Sequence, residues 1–352
     1  MKLADFDFTL PDELIAQHPA PSRDGSRMML IHRETGKREH FRFRDLPDIL
    51  NPKHFLVVNE TRVFPARLRA RRPGKNEEIE ILLLREESHG RWLALTKPGR
   101  KTPLGQRLQI GGITAVVAVI TESGNRVIEF EGFEGDLFEV FEKIGEPPTP
   151  PYIRRNDSLK YSKDAEEDRL RYQTVYARQS GSVAAPTAGL HFTEEVLQRL
   201  YAKNVPVCKI LLHVGYGTFK PIRTEEVEEH KMEPEFYSVD AENAVRIRTL
   251  KDQGRDLVAV GTTSARCLEY LALARNEYSF DREVSGYCNL FIYPGFEFKA
   301  LNGLITNFHL PKSTLFMLVS AFAGRELMLD CYREAISRGY RFYSYGDCML
   351  IL

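Results

Sequence analysis

The chain shows no excess of either charge. Its 49 lysines and arginines stand against 49 aspartates and glutamates, so no bulk field advertises a polyanionic partner, and a nucleic acid would have to be met by a local patch. Cysteine is scarce. Cys208, Cys267, Cys288, Cys331 and Cys348 are odd in number, far apart and never form a CxxC pair. That argues against a disulfide scaffold and a zinc knuckle, and fits a reducing compartment. Long apolar runs are missing as well. The greasiest stretch, 314–323, falls well short of the about 20 residues that a bilayer-spanning helix needs. The segment 1–7 holds no apolar signal core. The expectation is a cytoplasmic protein with no membrane partner and no metal ligand cluster.

What is present is the composition of a folded chain: 43% hydrophobic and 28% charged over 352 residues. That length exceeds one ordinary core and suggests two domains. Met28–Ile31 and Phe55–Val58 are apolar runs of strand length. Between 62 and 148 the character changes. Ile79–Leu84, Arg91–Thr96, Arg107–Ile110, Ile113–Ile120 and Arg126–Glu131 are five short strand candidates separated by glycine-rich turns, which suggests a small barrel or sandwich. A helix follows, with Asp136 as its N-cap and Gly145 just past its end. The run Glu146–Pro151 is a stiff hinge.

Beyond it, strands alternate with helices. The runs 207–214, 257–260 and 304–310 read as buried strands, and the last two lead straight into helices over 264–274 and 313–323. The charged stretch 160–171 reads as a mobile loop. The expected fold is therefore an α/β body, built from 1–61 plus 149–352, carrying an inserted small β-barrel at 62–148.

Four segments could carry chemistry. The first, Gly181–Thr193, is rich in small residues, so its backbone can approach a ligand closely. It ends in His191 and in Thr193, a good cap for the helix that follows. The second, Leu212–Phe219, ends a strand in His213 and a Gly-x-Gly turn; alone this is weak, and His213 reads as easily as a satisfied core histidine. The third, Val260–Arg266, takes a strand into a helix through hydroxyl residues. Its exposed amides would hold an anion, with Arg266 as a fork donor, although plain helix capping explains the pattern equally well. The fourth, Thr306–Thr314, places Asn307, His309 and Lys312 at the carboxyl end of a buried strand, where open α/β sheets bind ligands. Basic clusters at Arg62, Arg67, Arg69, Arg71, at Lys97, Arg100, Lys101, and at Arg154, Arg155 would suit phosphate contacts, or form an ordinary solvated face.

Taken in order, Tyr172–Ala177, Gly181–Thr193, His213–Phe219, Gly261–Ser264, Thr306–Thr314 and Ser344–Asp347 closely resemble the S-adenosylmethionine:tRNA ribosyltransferase-isomerase family of queuosine biosynthesis. Asp5–Pro11, Ser26–Met28 and Asn59–Val63 match as well, so the resemblance spans nearly the whole chain. The chain departs from the family pattern at Glu233-Pro234, where the family implies a second histidine.

The resemblance implies an α/β body with an inserted β-barrel. It implies transfer and isomerisation of the ribosyl part of S-adenosylmethionine onto 7-aminomethyl-7-deazaguanine at the wobble position of a tRNA with a GUN anticodon. Adenine and methionine leave, and epoxyqueuosine tRNA is formed. S-adenosylmethionine is then a substrate, and no cofactor or metal is required. On this reading His191, His213, His309 and Lys312 are the catalytic candidates, with a histidine of near-neutral pKa as general base. Donor binding falls to Pro186, Thr187, Gly189, Leu190, Phe192, Gly215, Tyr216, Gly217, Thr218, Thr262, Thr263, Arg266 and Asn307, with Phe192 and Tyr216 facing the adenine or sulfonium. The arginines and lysines named above contact tRNA. A monomer or weak homodimer is expected. A methyltransferase using the same donor and a non-catalytic RNA-binding protein are the alternatives.

Overall fold

Strand His54–Asn59 shows why the body is layered. Phe55 and Val57 point into one core with Leu212, Leu257, Leu268 and Met317, while Leu56 and Val58 point into the other with Phe192, Val196, Val258 and Ile305. A strand buried on both faces reads as continuous apolar sequence, as parallel strands under helical layers do. Nine strands form the main sheet, in the order Val284–Cys288, Glu235–Val239, Val207–Leu212, His54–Asn59, Asp256–Val260, Gly303–Asn307, Cys348–Ile351, Arg27–Ile31, Arg38–Arg42. Its four consecutive strands from Val207–Leu212 to Gly303–Asn307 run parallel, so their carboxyl ends share one edge. The coordinates are a computed structural model and describe residues 1–155, 163–219, 222, 224–274 and 282–352.

The inserted unit is a closed six-stranded barrel ordered Arg126–Glu131, Arg91–Lys97, Glu78–Ser88, Arg67–Arg71, Arg107–Ile110, Ile113–Ile120. Closure removes free edges, and alternate side chains such as Leu68, Ala70, Ile79, Ile81, Leu108 and Val117 fill the interior. Helix Leu137–Ile144 plugs one end. Asp136 accepts from the Phe138 N–H at 2.9 Å as its cap, and Phe141 packs edge-on against Trp92 with centroids 5.3 Å apart. Chain entry and exit are stitched together: the Arg67 and Glu146 backbones exchange N–H···O bonds at 3.2 and 2.8 Å. A short parallel pair, Thr61–Val63 with Gln179–Ser182, joins body to barrel.

Several sequence expectations need correction. The barrel has a sixth strand, Arg67–Arg71, that the basic-patch reading hides: its arginines alternate with buried Leu68 and Ala70 and face outward. The strands expected at 207–214 and 304–310 stop at Leu212 and Asn307, because the chain turns there to offer polar groups. Of the loop expected at 160–171, residues 160–162 lie outside the described residues, and Lys163–Arg171 is a helix. It is anchored because Asp168 is buried, holding Arg155 at 2.8 Å and accepting from the Tyr345 hydroxyl at 2.8 Å.

Candidate active site

The shared carboxyl edge of the parallel strands carries a chamber whose open space, solvent at its mouth included, is about 490 Å³. Residues from five regions far apart in sequence wall it: 185–188, 214 with 218, 261–263, 306–307 with 309, and 343–344, with Tyr152 and Leu315 completing the lining. Each arrives for a local reason. Gly261, at φ +89°, ends strand Asp256–Val260 in a conformation that only glycine adopts readily. Helix Thr262–Ala274 then begins at once, with Ser264 donating back to the Val260 carbonyl at 2.8 Å. Asn307 closes strand Gly303–Asn307 and donates from Nδ2 to the Tyr343 carbonyl at 2.8 Å. That clamps the turn bearing Tyr343, which sits at φ +76°.

Among the described residues, the lining contains hydroxyls, one amide and one imidazole but no formally charged side chain. Thr306 Oγ1 and His309 Nε2 share a hydrogen bond at 3.0 Å, and the His309 backbone N–H donates to Tyr332. Thr263 Oγ1 is buried and meets no hydrogen-bond partner, so it is available to a ligand. Tyr152 bonds Ser344 through its hydroxyl and meets the Tyr343 ring edge-on, centroids 3.9 Å apart. Burial raises the pKa of both tyrosines, so they stay protonated.

Of the expected catalytic residues, only His309 lines this chamber. His191 lies behind it, donating from Nε2 to Asn307 Oδ1 at 3.3 Å. His213 bonds Thr61 at 2.9 Å and stacks on Phe236, 5.7 Å between centroids. Its ring rests on Gly181, where an added Cβ would come within 2.4 Å of His213 Nε2. Lys312 sits at φ +56° and pairs with Asp7 at 2.6 Å, off the chamber. The expectation of a near-neutral histidine does not hold. Burial pushes His309 down to about 3. Burial likewise outweighs the Asn307 bond and pushes His191 down to about 4, and it pushes His213 down to about 4. All three imidazoles are neutral at physiological pH and are weak proton acceptors.

Of the expected donor-binding residues, Pro186, Thr187, Thr218, Thr262, Thr263 and Asn307 line the chamber. The others do not. Phe192 is fully buried against Phe43 at 4.8 Å. Tyr216 packs on the barrel core. Gly189 lies so close to the Tyr176 hydroxyl that a Cβ would meet it at 2.2 Å. Leu190 lines a neighbouring hollow. Gly215 and Gly217 back onto Glu235 and Glu233. Arg266 is unavailable to an anion through its main arm: it is 4% exposed and paired with Glu235 at 2.7 Å. Glu235 also accepts from the Gly215 N–H at 2.9 Å and from Thr218 Oγ1 at 3.2 Å, so the buried pair positions the turn that delivers Thr218.

The basic clusters are largely neutralised. Arg62 meets Glu142, Arg67 and Arg69 meet Glu80 and Glu146, Arg71 meets Glu78, and Lys101 meets Glu77. Arg154 and Arg155 pair with Asp12 and Asp168. Exposed Lys97 and Arg100 form no ion pair among the described residues, although Lys97 lies opposite Glu80 in the barrel register. Tyr152, Leu315 and Tyr343 line the chamber yet lie outside every segment that the sequence marked for chemistry. Tyr152 follows the proline hinge and looks like linker, and the left-handed backbone of Tyr343 shows only in three dimensions.

Comparison with known proteins agrees over the whole length. A family described as "Queuosine biosynthesis protein" matches residues 3–351. The S-adenosylmethionine:tRNA ribosyltransferase-isomerases of Symbiobacterium thermophilum and Halothermothrix orenii are 50% and 46% identical, each aligned over 100% of this chain and 100% of the relative. The crystal structure of the S-adenosylmethionine tRNA ribosyltransferase from Thermotoga maritima, 37% identical, aligns with 99% of this chain and 100% of its own, at a TM-score of 0.55. With relatives this similar and a family match running almost end to end, the chain belongs to the S-adenosylmethionine:tRNA ribosyltransferase-isomerase family of queuosine biosynthesis.

Proposed function

We propose that this protein transfers the ribosyl part of S-adenosylmethionine to the amine of 7-aminomethyl-7-deazaguanine at the wobble position of a tRNA with a GUN anticodon, and isomerises it to the epoxycyclopentanediol. The observation that carries this reading is the convergence of five distant turns on one uncharged, hydroxyl-lined chamber in a chain that matches the family throughout. Hydroxyls and amides suit a ribose and an adenine. The tyrosine faces of Tyr152 and Tyr343 suit a sulfonium, which is attracted to π density without needing a carboxylate. The amides at Thr262 and Thr263, opening a 13-residue helix, suit the donor's carboxylate.

Chemically, the sulfonium acidifies the adjacent C5′ hydrogen. Its removal expels adenine, the tRNA amine adds to the activated sugar, and methionine departs. His309 is the best placed of the three histidines to take that proton, being the one in the chamber wall. No cofactor or metal takes part, and the protein works in the cytoplasm as a monomer or weak homodimer. Lys97 and Arg100 meet tRNA phosphates.

The test is incubation with labelled donor and precursor tRNA. Release of free adenine, with a nucleoside heavier by the rearranged ribosyl group, is the expected result. Formation of S-adenosylhomocysteine instead would make the protein a methyltransferase, and donor binding without turnover would make it a binding protein.

A further inference from the structure

A smaller hollow, about 250 Å³ with the solvent at its mouth included, lies beside the chamber. The two share Ser344 as a wall residue, and His191 on the smaller side bonds Asn307 on the larger. Their electrostatics are opposite. Among the described residues, the chamber wall holds no charged side chain, whereas the hollow has Arg23 and Arg171 in its wall and no carboxylate. Both arginines are fixed by backbone carbonyls. Arg23 donates to Leu170, Arg171 and Leu190 at 2.9, 3.3 and 3.2 Å. Arg171 donates to Ala20 at 2.7 Å, and its Nε is buried with no acceptor.

Neither arginine forms an ion pair with a carboxylate among the described residues. The carboxylates nearby are already engaged. Asp168 holds Arg155 and the Tyr345 hydroxyl. Asp347 accepts from the Arg27 and Arg341 N–H groups at 2.8 Å each. Glu167 faces His18. Burial first, then the like charge of Arg171, holds the Arg23 pKa below its ordinary value. Two guanidinium groups brought together without a counterion are costly, and the cost disappears when an oxyanion joins them.

We propose that this hollow seats one phosphodiester of the RNA strand whose modified base enters the neighbouring chamber, an inference that rests on the tRNA-substrate reading above. The donor's carboxylate is the other anionic group in the reaction, and on the reading above the helix amides at Thr262 and Thr263 already serve it. A phosphodiester is the anion left for the two arginines. Arg23 and Arg171 are both only partly buried, so a strand lying on the surface can reach them while its base turns inward.

The experiment measures binding of an anticodon stem-loop to the full-length protein as a function of KCl, for wild type, Arg171→Gln and Arg171→Lys. Arg171→Gln is expected to lower the slope of log affinity against log salt by about one, as loss of one phosphate contact does, with S-adenosylmethionine affinity unchanged. Arg171→Lys keeps the charge and should retain most of the slope. It also serves as the variant if the glutamine form does not fold. Stem-loops carrying a single neutral methylphosphonate linkage then locate the contact. At one linkage beside the wobble nucleotide, neutralisation should lower the wild-type slope by about one and leave that of Arg171→Gln unchanged. Lost donor affinity with an unchanged slope would hand the hollow to the donor's carboxylate. Absence of coupling at every linkage would remove the phosphate site. If the wild type itself shows no salt-dependent stem-loop binding, the tRNA-substrate reading fails, and this inference fails with it.

Discussion

The β-barrel and the carboxyl edge of the main sheet dispose of their polar residues in opposite ways. In sequence the barrel is dense with arginine; in space antiparallel register sets most of that charge against glutamate. Arg71 lies opposite Glu78, Arg69 opposite Glu80 and Arg91 opposite Glu129. Such pairs are worth about 0.2–1 kcal/mol each and leave little field behind. The sheet edge has no charged side chain in its chamber, and no single segment of it stands out, yet its groups converge. Charge density along a chain therefore says less about a binding surface than the register that follows from it.

The largest effect should come from the sheet edge. Replacing His309 by Ala is expected to slow adenine release by about 10²–10⁴-fold, the range for a lost proton-transfer group, with donor affinity changed only a few-fold. Rapid-quench measurement of adenine in the presence of tRNA reads the first quantity and calorimetry with donor alone reads the second. A variant at full speed would shift attention to His191, which acts on the chamber through Asn307.

Next comes the buried Glu235–Arg266 pair. Glu235→Leu leaves a buried guanidinium uncompensated and should cost about 3–5 kcal/mol in urea unfolding. Donor affinity should fall as well, because Thr218 and the Gly215 N–H lose the acceptor that holds their turn. Adding Arg266→Met should recover most of the stability but not the affinity. Recovery of both would mean that Thr218 needs no such support.

The sheet edge should also be the acid-sensitive part. His191 and His309 fold with pKa values near 4 and 3, below their unfolded value of 6.5. Between those limits the unfolded chain binds more protons, so stability falls as pH drops from about 6.5 toward 4 and is flat above that window. Unfolding free energies measured across pH 4–8 check this, and His309→Asn should reduce the slope by roughly one proton. A pH-independent profile would mean that water reaches these rings.

Much of this architecture could be read from the chain before folding. Five barrel strands and the helix behind Asp136 follow from alternation and capping, which are local. Strand Arg67–Arg71 was hidden because an outward face of three arginines resembles a patch. The turns at Gly181–Thr193, Gly261–Thr263 and Thr306–His309 were legible as turns, since small and hydroxyl residues at strand ends have a local meaning. Which of their side chains face one another was not. Phe192, three residues from Gly189, serves the core, whereas Tyr152, over 30 residues earlier, reaches the chamber. Arg266, on a helix, looked free until Glu235, from strand Glu235–Val239, met it.

The smallest effect is expected back on the barrel. Arg71→Ala removes one side of an exposed pair in which both partners are about half accessible, 56% and 51%. It should change stability by less than about 0.5 kcal/mol and leave the salt dependence of tRNA binding untouched. Lys97→Ala or Arg100→Ala should instead lower that slope by up to about one each, because a phosphate there displaces only counterions and no protein carboxylate. The reverse pattern would mean that the barrel's ion pairs open when RNA arrives. Its arginines would then be a latent binding surface that the free protein keeps closed with its own glutamates.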